Sequence, residues 1–141
     1  MGLIKFSANL GFLWSELTLT GAIYAAKEAG FDAVECHWPY ETDPKDISKA
    51  LLETDFIMIG INTRRGDVDA GENGLSALPG REKDAKKAID EAISYARIIK
   101  AKNIHVMAGF SYGDKARDVF IRNLILALFF GVTLIFLKEP L

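Results

Sequence analysis

Strand-like apolar runs alternate with helix-periodic segments along the whole chain, and that alternation admits few folds. Leu3 to Ala8 is a short run of strand character, after which Leu19, Ala22, Ile23 and Ala26 recur at helical spacing until Gly30 ends the segment. The stretch "FDAVECHW" from Phe31 predicts a second strand. Asp43-Pro44 reads as an N-cap with a first-turn proline, and Ile47, Ala50 and Leu51 give the following helix its buried stripe. The run "FIMIGI" from Phe56 is apolar throughout, as a strand covered on both faces would be. Ala85, Ala88, Ile89, Ala92, Ile93 and Ala96 mark the clearest amphipathic helix. Then "NIHVMAG" predicts a fourth strand, "DKARDVFIRNLILALFF" a fourth helix and "VTLIFL" a fifth strand.

Parallel neighbouring strands need a crossover connection, and a helix supplies one, so the pattern predicts an α/β fold of parallel β/α units in one domain, 1–141. No G-x-G-x-x-G follows the first strand and no G-x-x-x-x-G-K-[ST] occurs, which withdraws support from nucleotide-binding open sheets and favours a barrel. A (β/α)8 barrel takes about 250 residues, or about 31 per unit, so this chain corresponds to about four and a half of the eight units of a TIM barrel.

The stretch "NTRRGDVDAGENGLSALPGRE", Asn62 to Glu82, holds four glycines and almost no periodic apolar positions. Loops of such length in compact domains are usually binding loops, lids or disorder. This one leaves a strand and enters a helix, which places it at the carboxyl ends of the strands, the face that carries the site in barrels and open α/β sheets. The expectation is a mobile cover over that face, from Asn62 to Pro79.

Composition closes several other routes. A net charge of -2, with Lys and Arg scattered among acids, supplies no electrostatic footprint for nucleic acid. The single cysteine, Cys36, can form no internal disulfide, and its apolar surroundings read as a buried small residue in a reducing, cytoplasmic setting. The N-terminus carries no signal-peptide pattern. The charge-free run from Leu124 to Leu137 is fourteen residues long, too short to cross a bilayer unaided, so no membrane partner is expected.

At "FSANLGFLWSEL", "AGFDAVECHWPY", "NTRRGDVDAGENGLSALPGRE" and "IHVMAG" the sequence resembles the N-terminal half of the hydroxypyruvate isomerase family, within the xylose-isomerase-like barrel superfamily. The resemblance runs from Phe6 to about Leu126, and the loop pattern G-D-x-x-x-G-E-x-G-x-x-x-x-P-G-R-E, Gly66 to Glu82, is its most specific part. It implies a single-domain, xylose-isomerase-like TIM barrel of which this chain would be a truncated part. It also implies isomerisation of hydroxypyruvate to tartronate semialdehyde, or of a related small 2-oxo acid, with a divalent metal, Mg or Mn. Beyond Leu126 the chain departs from the family pattern: the polar helix end is missing and an insertion lies between Gly131 and Glu139. The chain then ends before the strands that, by the resemblance, carry the other metal ligands and the second catalytic carboxylate, so the expectation is no measurable turnover. The alternatives are a non-catalytic half-barrel that associates with itself or a partner, and another sugar isomerase or epimerase of the same superfamily.

Moving a carbonyl to the adjacent carbon requires a base, an acid and something to hold the enediolate, and a divalent metal suits the last task. The resemblance assigns Glu139 both metal binding and proton transfer; a solvated C-terminal glutamate is the alternative. Arg64 and Arg65 offer the planar fork that grips a carboxylate in two parallel hydrogen bonds, or else they are solvated loop arginines. His37, just after the second strand, either contacts substrate or packs at the rim, and Trp38 and Tyr40 can face the same way. Glu35 shares a strand face with His37 and would need a partner there. Asn9, at the end of the first strand, is a polar contact on that face. Trp14 shapes the pocket or packs its loop, and His105 reads as a core histidine. Cut strand edges, together with the apolar tail, predict a homo-oligomer or an aggregation-prone chain.

Overall fold

The computed structural model describes residues 4–129. Its elements run β1 (Ser7–Asn9), α1 (Leu19–Glu28), β2 (Ala33–Glu35), α2 (Pro44–Thr54), β3 (Gly60–Asn62), α3 (Glu82–Ile99), β4 (Asn103–His105) and α4 (Gly113–Phe129). This is the predicted α/β alternation with four helices. The fifth predicted strand and Glu139 lie outside the described residues. The chain forms two compact units: one runs to Ile61 and adds Tyr95–Lys102, and the other comprises Asn62–Ser94 and the chain from Asn103 onward.

In the first unit β1 and β2 pair in parallel, with Ser7 opposite Ala33, Ala8 opposite Val34 and Asn9 opposite Glu35. A parallel bridge from Val34 to Met58 continues the arrangement. The Val34 N–H donates to the Ile57 carbonyl (3.1 Å) and the Ile59 N–H to the Val34 carbonyl (2.7 Å). Helix α1 starts on Thr18, whose hydroxyl accepts from the Gly21 N–H, and buries Ala22, Ile23 and Ala26. Helix α2 starts on Asp43, whose carboxylate accepts from the Lys45 N–H at 2.8 Å, with Pro44 in the first turn; it buries Ile47, Ala50 and Leu51, the predicted stripe. The two helices pack together, and the Tyr24 hydroxyl donates to Glu53 across them.

The strands are shorter than their apolar runs. Ile4 to Phe6 stand outside the ladder and are exposed, because the Phe6 N–H is taken by the Asp32 carboxylate at 2.8 Å instead of a neighbouring strand. After β2 the chain leaves the ladder at His37. The Tyr95 hydroxyl, on α3, donates to the carbonyls of Pro39 (2.9 Å) and Thr42 (2.7 Å) and so fixes the turn into α2.

In the second unit the Thr63 N–H donates to the His105 carbonyl (2.9 Å), and the buried Thr63 hydroxyl accepts from the Met107 N–H (2.9 Å). The long loop falls into two parts. From Gly74 to Ala77 it is buried and tied to the chain after β4: Leu75 and Ser76 donate to the Met107 carbonyl, and Ala77 donates to the Ala108 carbonyl at 2.7 Å. Gly74 has φ +123°, and a Cβ there would stand 2.5 Å from the Gly109 nitrogen, so only glycine allows this approach. Buried Asn123 on α4 donates to the Ser76 carbonyl at 2.8 Å. From Gly66 to Gly71 the loop is exposed. Even this part is clasped. The Glu72 carboxylate accepts the Asp67 N–H (2.6 Å) and pairs with Arg81, which also holds Asp84 at 2.8 Å. The Arg81 guanidinium keeps the Asp84 carboxyl below its ordinary pKa.

Replacing Glu72 by Ala removes the acceptor for Asp67 and one partner of Arg81. The expected cost is about 1 kcal/mol in urea unfolding, with faster amide exchange at Asp67 and unchanged protection at Ala77. Loss of protection at both would show that the two parts of the loop open together.

Candidate functional site

The parallel register sets the ends of β1 and β2 side by side, and three polar side chains meet there. The Asn9 Nδ2 donates to Glu35 Oε1 at 3.0 Å and lies 3.3 Å from His37 Nε2, while Asn9 Oδ1 accepts the Gly11 N–H at 2.9 Å. Asn9, Glu35 and His37 are each half-buried. The partner that Glu35 needs in a partly apolar setting is thus the Asn9 amide. Glu35 and His37 both reach the Asn9 amide and so share a face as predicted, although β2 itself ends at Glu35.

Aromatic rings hold the imidazole in place. Phe12 meets it edge-on with centroids 4.9 Å apart, and Trp38 lies at 5.1 Å and 58°. Gly11 lies against the ring: a Cβ built there would be 2.2 Å from Nδ1. A cleft of about 260 Å³ opens beside the ring, with Leu10, Gly11, Trp14, Cys36, Trp38 and Pro39 among its walls. Trp14 reaches this wall from a left-handed backbone conformation, φ 55°, which is rare for an aromatic residue. Ser15, His37 and Thr42 interrupt its apolar walls, which makes it a small candidate cleft beside the strand ends.

Phe12 and Gly11 were not singled out as site residues from sequence. The signal is the "NLGF" that begins on the last residue of β1, where a glycine just past a strand end marks a close approach. Trp38 flanks the cleft as the sequence suggested. Tyr40 instead packs edge-on against Tyr95 at 5.5 Å.

The two arginines belong to the second unit, and each is engaged. Arg64 makes a bidentate pair with Glu91 on α3, Nε to Oε2 at 2.7 Å and Nη2 to Oε1 at 3.0 Å. Arg65 donates from Nε to Asn73 Oδ1 at 2.8 Å. Arg64 and Glu91 line a groove of about 390 Å³ with Gly66, Leu75, Asp84 and Lys87.

Glu139, the expected metal ligand and proton carrier, lies outside the described residues. Among the described residues no group of three His, Cys, Asp or Glu side chains is placed to hold a metal ion. Those residues alone therefore do not fit a divalent cation, which needs several oxygen ligands. Cys36 is buried, 3.8 Å from the Met58 sulfur, and burial, reinforced by the charge of Glu35, pushes its thiol from 9.0 to about 12. It is packing, not a nucleophile.

A model of the xylose isomerase-like TIM barrel family matches residues 23–129. The hydroxypyruvate isomerase of Escherichia coli is 33% identical over 107 residues, 76% of this chain and 42% of that protein. The 2-oxo-tetronate isomerase of Haemophilus influenzae is 35% identical over 123 residues, 84% of this chain and 48% of that protein. Among solved structures, an AP endonuclease, family 2, from Brucella melitensis superposes with a TM-score of 0.85 at 31% identity, covering 94% of this chain and 54% of its own. The chain spans about half the length of the curated relatives it matches. No helix among the described residues is long and apolar enough to cross a membrane.

The raised thiol pKa has a definite sign in stability. The folded chain keeps the Cys36 proton where the unfolded chain loses it, so this contribution is complete below pH 9 and lost as pH rises towards 12. Urea midpoints are expected to fall across that window, with a shallower fall in Cys36→Ala. Identical slopes for the two proteins would show that Cys36 is not protected.

Proposed function

The chain belongs to the xylose isomerase-like TIM barrel family, and from that premise we propose that it carries the first-strand side of a site for isomerising a small 2-oxo acid, hydroxypyruvate being the model substrate. The observation behind this reading is the meeting of Asn9, Glu35 and His37 at the ends of two parallel strands, beside a cleft of about 260 Å³. Isomerases named for hydroxypyruvate and 2-oxo-tetronate among its relatives support the substrate class.

The reaction takes a proton from the hydroxyl-bearing carbon of hydroxypyruvate and returns one to the neighbouring carbonyl carbon, passing through an enediolate. In this reading His37 supplies a hydrogen bond to a substrate oxygen, Asn9, whose amide is engaged by Gly11, Glu35 and His37, holds the ring there, and the aromatic walls limit the access of water. A divalent metal, Mg or Mn, with Glu139 as a ligand and proton carrier, belongs to the same reading. A carboxylate that is to use Arg64 has Glu91 to displace. The reading also holds that turnover needs groups beyond those the described residues bring to the cluster, so that this length of chain binds without catalysing.

Self-association is a second strand of the proposal. Ile121, Ile125 and Leu128 recur at helical spacing on α4 and are each about half exposed, and an apolar stripe of this kind favours a second copy or a larger assembly.

Titration of the labelled chain with hydroxypyruvate is expected to shift backbone amides around Asn9, Gly11 and Trp38. Shifts scattered over the surface, or none, would remove the substrate assignment. With Mg or Mn added, no tartronate semialdehyde is expected above a metal-only blank; turnover abolished by Glu139→Gln would overturn the statement that this length does not catalyse. Light scattering at micromolar concentration is expected to show dimers or larger species, against which a monodisperse 15.6 kDa particle would count.

A further inference from the structure

Asn9 is oriented by its neighbours. The Gly11 N–H donates to its oxygen at 2.9 Å, so the opposite arm of the amide is the NH2 group, and one of those hydrogens goes to Glu35 Oε1 at 3.0 Å. The other faces His37 Nε2 at 3.3 Å. An imidazole nitrogen that meets an amide N–H must offer a lone pair, because two donors cannot bond to each other. The proton of the ring therefore sits on Nδ1. Which nitrogen of a histidine is protonated is set in this way, by the hydrogen bond the other nitrogen makes.

Nδ1 has no hydrogen-bond partner among the described residues, while every buried side-chain nitrogen or oxygen among them has one. Nδ1 is consequently not fully buried. It lies on the edge of the ring that covers Gly11, and both residues line the cleft. The rings of Phe12 and Trp38 restrain the imidazole against rotation.

We infer that Asn9 is a positioning residue that locks His37 as its Nδ1–H tautomer, so that His37 meets a ligand oxygen in the cleft as a hydrogen-bond donor and does not act as a base through Nε2. The part concerning the ligand rests on the proposed function, in which that oxygen belongs to a 2-oxo acid and gains charge as the enediolate forms. A fixed donor aimed at an oxygen that gains charge favours the charged form over the ground state. Gly11 is part of the device, since any side chain there would push the ring away from Asn9 and fill the approach to Nδ1.

The test is long-range 1H–15N correlation on the labelled chain, first alone and then with hydroxypyruvate. The expected spectrum has a protonated Nδ1 and an unprotonated Nε2 on His37, with Nδ1 moving as hydroxypyruvate is added. Asn9→Ala should release the tautomer preference, and His37→Phe should weaken hydroxypyruvate binding at least about five-fold. A protonated Nε2 in the native chain would overturn the inference and leave the functional reading intact. Amide shifts around the cleft with a motionless Nδ1 would overturn the donor role alone. If hydroxypyruvate moves no signal at all, the donor role and the functional reading fall together, while the tautomer is still read from the chain by itself.

Discussion

The parallel register of β1 and β2 is the constraint on which the candidate site depends. Parallel strands joined by a helix run in the same direction, so their carboxyl ends finish on one side. Here Asn9 is opposite Glu35, and the residues that leave the ladder next, Gly11 and His37, are brought together as a result. A slip of one residue would turn Glu35 to the other face and leave the Asn9 amide without its acceptor. Helices α1 and α2, which follow β1 and β2 along the chain, bury their apolar stripes and pack against each other.

The long loop solves a different problem. A surface segment rich in glycine and charge has few apolar groups to hold it, and its order comes from backbone hydrogen bonds and one ion-pair cluster. Gly74 and Gly109 permit a backbone approach that any Cβ would block, and Glu72 joins the turn at Asp67 to Arg81 at the start of α3. The residues that make the loop recognisable in sequence are thus largely those that build it. That separates a motif's specificity as a signature from any direct part in chemistry.

Helices were legible because their signals are local. Thr18 was not singled out as a cap, but Asp43-Pro44 and the apolar stripe of α2 sit where the sequence puts them, since caps and periodicity act within a few residues. Strand limits were not legible, because a strand ends where its neighbour stops pairing, and the claim of Asp32 on the Phe6 N–H comes from a residue far along the chain. The same holds for the site. Glu35 and His37 could be placed on one face by alternation, and Asn9 near them by its place at the end of the first strand, whereas the Gly11 contact and the engagement of Arg65 by Asn73 depend on loop conformations that no periodicity encodes.

The pairing of Arg64 with Glu91 has a consequence for recognition. A tethered carboxylate presents itself at an effective concentration of millimolar order or above, so a free acid must compete with an occupant that is always present. Both partners are partly exposed, which keeps the bond exchangeable. A ligand that captured Arg64 would succeed through additional contacts or a second negative charge, and Glu91 would act as an internal threshold that excludes the most weakly binding monocarboxylates of the cell.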